Sequence, residues 1–330
     1  MKRVRFAPSP TGSLHVGNAL SAVINRREGD YFLLRIDDTD PARNVPGGEE
    51  AILSDLSWLG LLWDEAPLRQ SERQELYRAA AERLGGGRFG RTTVLREDGT
   101  ATYHLASVVD DAELGITHVY RGNDHRPNED LHRRLHEALG TTPPEYVHHG
   151  LILGEDGKKL SKRAEGATVS SLRKLGIPAE AVRAYLDELG LPRHDVHYDL
   201  PRIRRLSVDA IEAMSDEELA ARSEIPLAAV PVARGARDLN EARDYAAQVL
   251  EQPEPRPTAA PETLERFREL ADAEPRAVIR ELKAVGGDLR ALRLALTGRD
   301  RGPELAAILA ALPREEALRR VDQALQHTHP

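Results

Sequence analysis

His15 and Gly17 near the start of the chain, and Lys158, Lys159 and Lys162 in its middle, are residue types suited to holding phosphate. The first pair lies in Pro8-Ser-Pro-Thr-Gly-Ser-Leu-His-Val-Gly-Asn18. It follows a short run with apolar residues at Val4 and Phe6 and precedes a helix-like stretch marked by Ala19, Leu20, Val23 and Ile24. That order reads as a strand, a tight loop and a helix start, so backbone N–H groups and the positive end of a helix dipole stand beside His15. An imidazole can donate a hydrogen bond to a phosphate oxygen without bringing a permanent charge. Gly17 has no Cβ, so a planar ring or a phosphate can lie against the backbone there. The second segment, Lys158-Lys-Leu-Ser-Lys-Arg163, follows Gly157 and offers three ammonium groups to a pyrophosphate leaving group. Either segment alone reads equally well as a solvated loop; the two together point to nucleotide chemistry.

The elements that must position these residues alternate. Strand-like stretches at Arg3–Phe6, Tyr31–Ile36, Ile116–Arg121 and Val147–Leu153 are interleaved with helix-like ones from Val16, over Glu49–Leu59 and over Asn128–Ala138. Such alternation predicts a parallel α/β sheet with ligands outside the carboxyl ends of its strands, where both phosphate segments fall. Past residue 200 the pattern turns helical, with a capping box at Ser215 and Glu218 and one apolar face through Leu264, Phe267 and Leu270. Gln252-Pro-Glu-Pro-Arg-Pro257 reads as a stiff extended connector within that half. Residues 1–200 are therefore expected to form one α/β domain and residues 201–330 an all-α domain.

Composition bounds the possibilities. No apolar run approaches the ~20 residues a membrane helix needs, and Met1-Lys-Arg-Val-Arg-Phe6 leads into a strand with no apolar leader, so a cytoplasmic monomer without membrane contact is expected. The absence of cysteine removes disulfides, thiol nucleophiles and thiolate metal sites, and none of the twelve histidines has a convincing set of further ligands, so no structural metal is expected. A net charge of -8 argues against the whole surface meeting nucleic acid, which leaves local patches: Arg202, Arg204 and Arg205, or Arg133 and Arg134.

Five segments, in order, resemble the class I aminoacyl-tRNA synthetases, and among them the glutamyl-tRNA synthetases. They are Arg5–Asn18, Leu34-Arg-Ile-Asp-Asp-Thr-Asp40, the helix entry Pro67-Leu-Arg-Gln-Ser-Glu-Arg73, the pocket strand and helix Thr102–Asp111, and Lys159-Leu-Ser-Lys-Arg163. Leu292–Gly298 with Gly302-Pro303 resembles the end of that family's anticodon-binding region. The resemblance implies a Rossmann-like nucleotide-binding catalytic domain followed by an α-helical tRNA-binding domain. It also implies a two-step reaction: glutamate attacks the α-phosphate of ATP, and the glutamyl group then passes to the 3′ end of tRNA. By the same resemblance Pro8, Ser9, Thr11, Gly12, His15, Gly17, Asn18, Leu160, Ser161 and Lys162 line ATP, with His15, Lys159 and Lys162 catalytic and magnesium carried on the nucleotide. Arg5, Ala7, Ser9, Asp37, Tyr103, Ser107 and Arg121 line the amino acid. Arg5 and Tyr103 face its side-chain carboxylate, Arg121 its α-carboxylate, and Ser9 with Asp37 its ammonium. Chemistry supports that division, since two planar guanidinium forks and one acid suit a ligand with two carboxylates and one ammonium.

The chain departs from the family pattern in having Asp37 where Glu is usual, Ser107 where Asn is usual, and a helix after the phosphate loop about one turn short. Gly85–Thr93 stands where the family carries a long insert that grips the tRNA acceptor end, so only a vestige remains, with Arg88 and Arg91 as candidates for residual tRNA contact beside Arg202, Arg204 and Arg205. No zinc is expected, since the insert normally carries any zinc-binding cysteines. Three functions follow: a compact glutamate–tRNA ligase, a paralogue that delivers glutamyl-adenylate to a modified tRNA base or a small amine, or a non-catalytic RNA-binding relic. The retained residues of both phosphate segments count against the relic.

Overall fold

The computed structural model describes residues 1–161, 163–254 and 259–327. Lys162 and part of the proposed connector, residues 255–258, therefore lie outside the described residues. The chain divides into two compact units. One comprises residues 1–174 and 182–202, the other residues 175–181 and 203–330.

The first unit carries strands β1 (Arg3–Phe6), β2 (Tyr31–Ile36), β3 (Leu68–Arg69), β4 (Arg88–Phe89), β5 (Thr92–Thr93), β6 (His118–Gly122), β7 (Glu145–His149), β8 (Ile152–Leu153) and β9 (Val196–His197). Between them run helices α1 (Val16–Glu28), α2 (Gly48–Trp58), α3 (Gln74–Arg83), α4 (Tyr103–Glu113), α5 (Glu129–Ala138) and α6 (Val169–Lys174). β1, β2 and β3 pair in parallel in that order, β6 pairs in parallel with β7, and β6 runs beside β1, tied by the Thr117 amide donating to the Arg3 carbonyl at 2.9 Å. The chain thus winds away from β1 in both directions, and the gap between the carboxyl ends of β1 and β6 is the switch point where such sheets take ligands. Val4, Phe32, Leu34, Ile36 and Val119 are buried, and α1 packs Ala19, Leu20, Val23 and Ile24 against β1, β2 and β6.

Several expectations from sequence change in detail. The single strand expected over Val147–Leu153 is split into β7 and β8, because Gly150 leaves the first ladder and donates its amide to the Pro192 carbonyl at 2.7 Å. A Cβ at Gly150 would stand 1.9 Å from the His194 carbonyl oxygen, so only glycine allows that crossing. The strand expected at the start of Thr102–Asp111 is an isolated bridge, Leu95 to Ala101, followed at once by α4. Gly85–Thr93 closes as a small hairpin of β4 and β5, with Arg88 Nη2 donating to the Arg91 carbonyl at 2.8 Å.

Helix α7 (Ala179–Leu189) starts in the second unit and ends in the first, and α8 (Leu200–Ala213) crosses back. The second unit continues with α9 (Asp216–Ser223), α10 (Val230–Ala233), α11 (Leu239–Leu250), α12 (Pro261–Leu270), α13 (Pro275–Ala284), α14 (Leu289–Thr297), α15 (Leu305–Ala311) and α16 (Arg314–Gln326). Ser215 caps α9 by accepting from the Glu218 amide at 3.1 Å, as the box predicts. Leu264 and Phe267 enter a core with Leu282, Leu292, Leu296, Ile308 and Val321. Buried Arg320 donates to the carbonyls of Gln248, Val249, Glu251 and Leu296, satisfying the ends of α11 and α14 where a cation also meets the negative dipole end. Among the described residues no helix is long and apolar enough to cross a membrane.

Candidate active site

The first phosphate segment pairs with the chain a few residues past the second. The Val16 amide donates to the Ala167 carbonyl at 2.9 Å and the Val169 amide to the Leu14 carbonyl at 2.9 Å, so His15 bridges to Thr168. From there the chain returns to the lysine loop through tight turns, Ala167 to Ala164 at 3.1 Å and Ala164 to Ser161 at 3.0 Å. His15 is the N-cap of α1 and accepts from the Gly17 amide at 3.2 Å through Nδ1. A Cβ on Gly17 would stand 3.4 Å from that ring nitrogen, so the glycine keeps the first turn clear. Asn18 is exposed, Pro8 is buried, and Ser9 and Thr11 form a turn with the Thr11 amide on the Ser9 carbonyl at 2.8 Å. Gly12 takes φ +97°, a conformation that favours glycine. Ser13 Oγ and the Leu14 amide both donate to buried Asp55, at 2.6 and 2.8 Å, which anchors the loop to α2.

Gly48 supports the loop from the same helix. A Cβ there would approach the Pro10 carbonyl oxygen to 2.3 Å and its carbon to 2.8 Å. Gly48→Ala must therefore displace the loop, and we expect it to cost about 1–3 kcal/mol of stability and to raise the ATP KM while leaving the amino-acid KM near its original value. Thermal melts and pyrophosphate exchange at varied ATP check this.

On the lysine loop, Leu160 is buried and its amide donates to Ile152 at 3.2 Å, Ser161 Oγ accepts from the Arg163 amide at 3.2 Å, and Lys158 is exposed. Lys159 Nζ reaches across to Asp124 Oδ2 at 2.7 Å. Burial favours the neutral form of the Asp124 carboxyl, but Lys159 outweighs it and holds the group below the usual carboxylate range. Asp124 lies three residues past Arg121 in the turn that leaves β6, and neighbouring His125 Nδ1 stands 3.3 Å from the Tyr103 hydroxyl. One turn thus touches both the lysine loop and the amino-acid candidates.

Those candidates rest on a buried ionic network. Arg5 and Arg35 share one face of adjacent parallel strands, because Arg5 pairs with Leu33 and the side-chain period is two. Above them, Ser107, Asp110 and Asp111 occupy positions i, i+3 and i+4 of α4 and so share one of its faces. Arg5 donates to Asp111 at 3.1 and 3.4 Å. Fully buried Arg35 forks onto Asp37 at 2.7 and 3.2 Å, reaches Asp111 at 2.8 Å, and gives its remaining contact to Ser107 Oγ at 3.4 Å. Asp110 collects Gln70, Arg73 and Tyr77. Burial alone would raise the Asp111 carboxyl, yet the guanidiniums of Arg5 and Arg35 outweigh it and bring it down to about 2. For Asp37 burial outweighs Arg35 and the carboxyl moves up. Ser107 is wholly buried with its hydroxyl toward Arg35, and Ala7 is half-buried at the end of β1.

Arg121 differs from these. It is 6% exposed, its Nε donates to His148 at 3.1 Å, and its guanidinium lies over the Tyr146 ring at 4.6 Å. Nη1 and Nη2 are buried and find no hydrogen-bond partner among the described residues. Burial lowers its pKa and Arg5 lowers it further, while the Tyr103 hydroxyl, near enough for a loose hydrogen bond outside good geometry, raises it. Neutral histidines complete the wall. Burial, then Arg121, takes His132 down to about 3 and His148 down to about 4. A buried cation with unmatched donors is unfavourable by itself, and it is the arrangement that a carboxylate completes.

Sequence reasoning missed Arg35, Asp110, Asp111, Asp124 and His125. The signal for the first three was the polar stripe 107, 110, 111 in a helix otherwise apolar at Leu105, Ala106, Val108 and Val109, which requires a buried partner opposite. Of the basic cluster on α8, Arg204 and Arg205 are exposed, whereas Arg202 is paired with Glu188. Arg88 and Arg91 are exposed on the hairpin. Among the described residues no group of three or more His, Asp or Glu could hold a metal ion.

A model of the tRNA synthetases class I (E and Q) catalytic domain matches residues 1–85 and 87–217. The chain is a class I tRNA synthetase of that family. An anticodon binding domain model matches residues 243–325 of this synthetase. It is 36% identical to glutamate–tRNA ligase 1 of Rubrobacter xylanophilus over 98% of this chain and 97% of that one, and 33% identical to glutamate–tRNA ligase of Akkermansia muciniphila over 97% and 98%. A crystal structure of a glutamate tRNA ligase from Elizabethkingia meningosepticum in complex with its amino acid shares the fold, with a TM-score of 0.75 at 24% identity, covering 98% of this chain and 99% of that one. The Rubrobacter alignment runs over 426 positions, of which 98% of these 330 residues can fill only about 323. The synthetase thus lacks roughly 100 residues that this relative has, and its catalytic-domain match breaks at Gly86, beside the β4–β5 hairpin.

Proposed function

We propose that this synthetase is a glutamate–tRNA ligase acting in the cytoplasm, which activates glutamate with ATP and passes it to the 3′ end of a tRNA. The observation that carries the site assignment is Arg121, a buried fork beside Arg5 whose Nη1 and Nη2 have, among the described residues, at most a loose contact with the Tyr103 hydroxyl. Arg121 takes the α-carboxylate, Arg5 with Tyr103 the side-chain carboxylate, and Asp37 with Ser9 the ammonium. Ser107 contributes through Arg35. A glutamine amide would replace one acceptor oxygen with an NH2 donor facing the Arg5 guanidinium, which already has Asp111 as its charge partner, so glutamine is rejected by mismatched donors.

In the first step a glutamate carboxylate oxygen bonds to the α-phosphorus, the bond to the bridging oxygen breaks, and pyrophosphate leaves with that electron pair. No protein nucleophile is needed, so the chain supplies position and charge. His15, Gly17, Asn18 and the turn Pro8 to Gly12 cradle the nucleotide at the start of α1, with Leu160 and Ser161 closing over it. Lys159 leaves Asp124 to meet the departing pyrophosphate, and Lys162 has the same task. Magnesium would enter on the phosphates, since the described residues do not fit a metal held by the protein. On the tRNA side, Arg88 and Arg91 meet backbone where the acceptor-gripping segment is reduced. The exposed Arg204 and Arg205 make further contacts, and Arg202 does so on leaving Glu188. The anticodon domain match favours tRNA over a small amine as acceptor.

Purified protein with ATP, labelled glutamate and total tRNA is expected to give glutamyl-tRNA. Pyrophosphate exchange with glutamate but no charged tRNA would favour delivery to another acceptor, and absence of exchange both with and without tRNA would sink the proposal.

A further inference from the structure

We propose that Arg35 is a positioning residue that sets the length of amino acid accepted, making glutamate rather than aspartate the substrate. The inference rests on the reading of Arg5 and Asp37 as opposite ends of the amino-acid pocket. Arg35 touches neither end's ligand directly, since it is fully buried beneath both. What it does is link the two ends through one rigid plane. Its Nε and Nη2 fork onto Asp37 at 2.7 and 3.2 Å, and its Nη1 reaches Asp111 Oδ1 at 2.8 Å. The same carboxylate accepts Arg5 Nε at 3.1 Å and Arg5 Nη2 at 3.4 Å on its other oxygen. A guanidinium is planar and cannot bend, so the direction from Asp37 to Asp111 is fixed by geometry rather than by chain flexibility. Asp111 then fixes Arg5.

The separation between the acid that meets the ammonium and the cation that meets the side-chain carboxylate is thus determined by a chain of three buried links. Glutamate and aspartate differ in that separation by one methylene. A pocket reads one methylene weakly by apolar contact alone, but a misplacement of about 1 Å in a charged clamp can cost about 100-fold. Ser107 Oγ, at 3.4 Å from Nη2, adds a weak further contact in support of the plane. Asp110, 3.7 Å from Arg35, is held by Gln70, Arg73 and Tyr77, so it balances charge without competing for the fork.

The test compares Arg35→Lys, which keeps the charge and loses the fork, and Asp111→Asn, which keeps the shape and loosens Arg5, with the unaltered protein. Pyrophosphate exchange is measured at varied glutamate, aspartate and ATP. For each variant we expect the glutamate KM to rise about 10-fold or more and the glutamate-to-aspartate ratio of kcat/KM to fall by a similar factor, with the ATP KM within about two-fold of the original. Asp111→Asn decides the matter if Arg35→Lys does not fold. An unchanged glutamate KM and ratio in a folded variant overturns the inference and leaves the proposed function intact. Parallel rises in the KM of ATP and glutamate also overturn it, by showing a general structural role. An unaltered protein that shows no glutamate-dependent exchange either with or without tRNA removes the function reading and this inference together.

Discussion

Arg121→Ala is expected to reduce glutamate activation by about 100- to 10,000-fold while leaving thermal stability near its original value. Two charge-assisted hydrogen bonds to a carboxylate contribute on the order of 1.5–3 kcal/mol each, and each 1.4 kcal/mol is about tenfold in rate. Stability responds differently because Nη1 and Nη2 have no well-formed hydrogen bond among the described residues. Removing them relieves a desolvation penalty, which offsets the lost stacking on Tyr146 and the lost bond to His148. Such opposition between activity and stability is expected of a residue held ready for a ligand. Pyrophosphate exchange and a thermal melt on the same preparation check both halves. Full activity in the variant, or a melting point lowered by more than about 5 °C, equivalent to about 2 kcal/mol in a domain this size, would assign Arg121 a structural role instead.

The second large effect is acid lability that begins well above the carboxylate range. His132 and His148 titrate at about 3 and about 4 in the fold, below the ordinary 6.5. The unfolded chain takes up those protons first, so the stability they carry is complete above pH 6.5 and drains as the pH falls toward 4 and then 3. At about 1.4 kcal/mol per unit, His132 contributes on the order of 5 kcal/mol across that range, and His148, where solvent screens more of the effect, contributes less. Asp111, depressed to about 2, adds loss of the same sign below pH 4, whereas Asp37, raised by burial, opposes it. Since whole domains are stable by about 5–15 kcal/mol, unfolding between pH 4 and 5 is expected. Melting points taken from pH 7.5 to 4.5 should fall steeply below pH 6, and His132→Phe should flatten that slope by about one proton. A flat profile from pH 7 to 5 contradicts the assignment.

Much of the site was legible because it is local. Pro8 to Asn18 carries its own strand, turn and helix start, and His15 caps that helix from the adjacent position. The glycine run at 85–87 announced a missing segment because nine residues rich in glycine cannot enclose a core. The match breaks there, and the Rubrobacter relative is longer by roughly 100 residues. The network beneath the pocket was not legible in the same way. Arg35 and Asp111 are 76 positions apart, and nothing in either local sequence states the pairing. Asp37 is legible as an acid for a ligand's ammonium, but the fork of Arg35 onto both its oxygens is not.

By itself the sequence determined residue chemistry, helix and strand periods, and the collinear motifs that place the chain in its family. These depend on neighbours within one or two turns, whose geometry the backbone dictates. Only the tertiary structure decided that Val16 meets Ala167, that Lys159 is held by Asp124, and that Arg5 belongs to Asp111 while Arg121 keeps two donors open. Burial is the physical reason. A charge withdrawn from water must take whichever partner the packed strands and helices bring within about 3 Å, and that distance is set by the packing of the whole first unit.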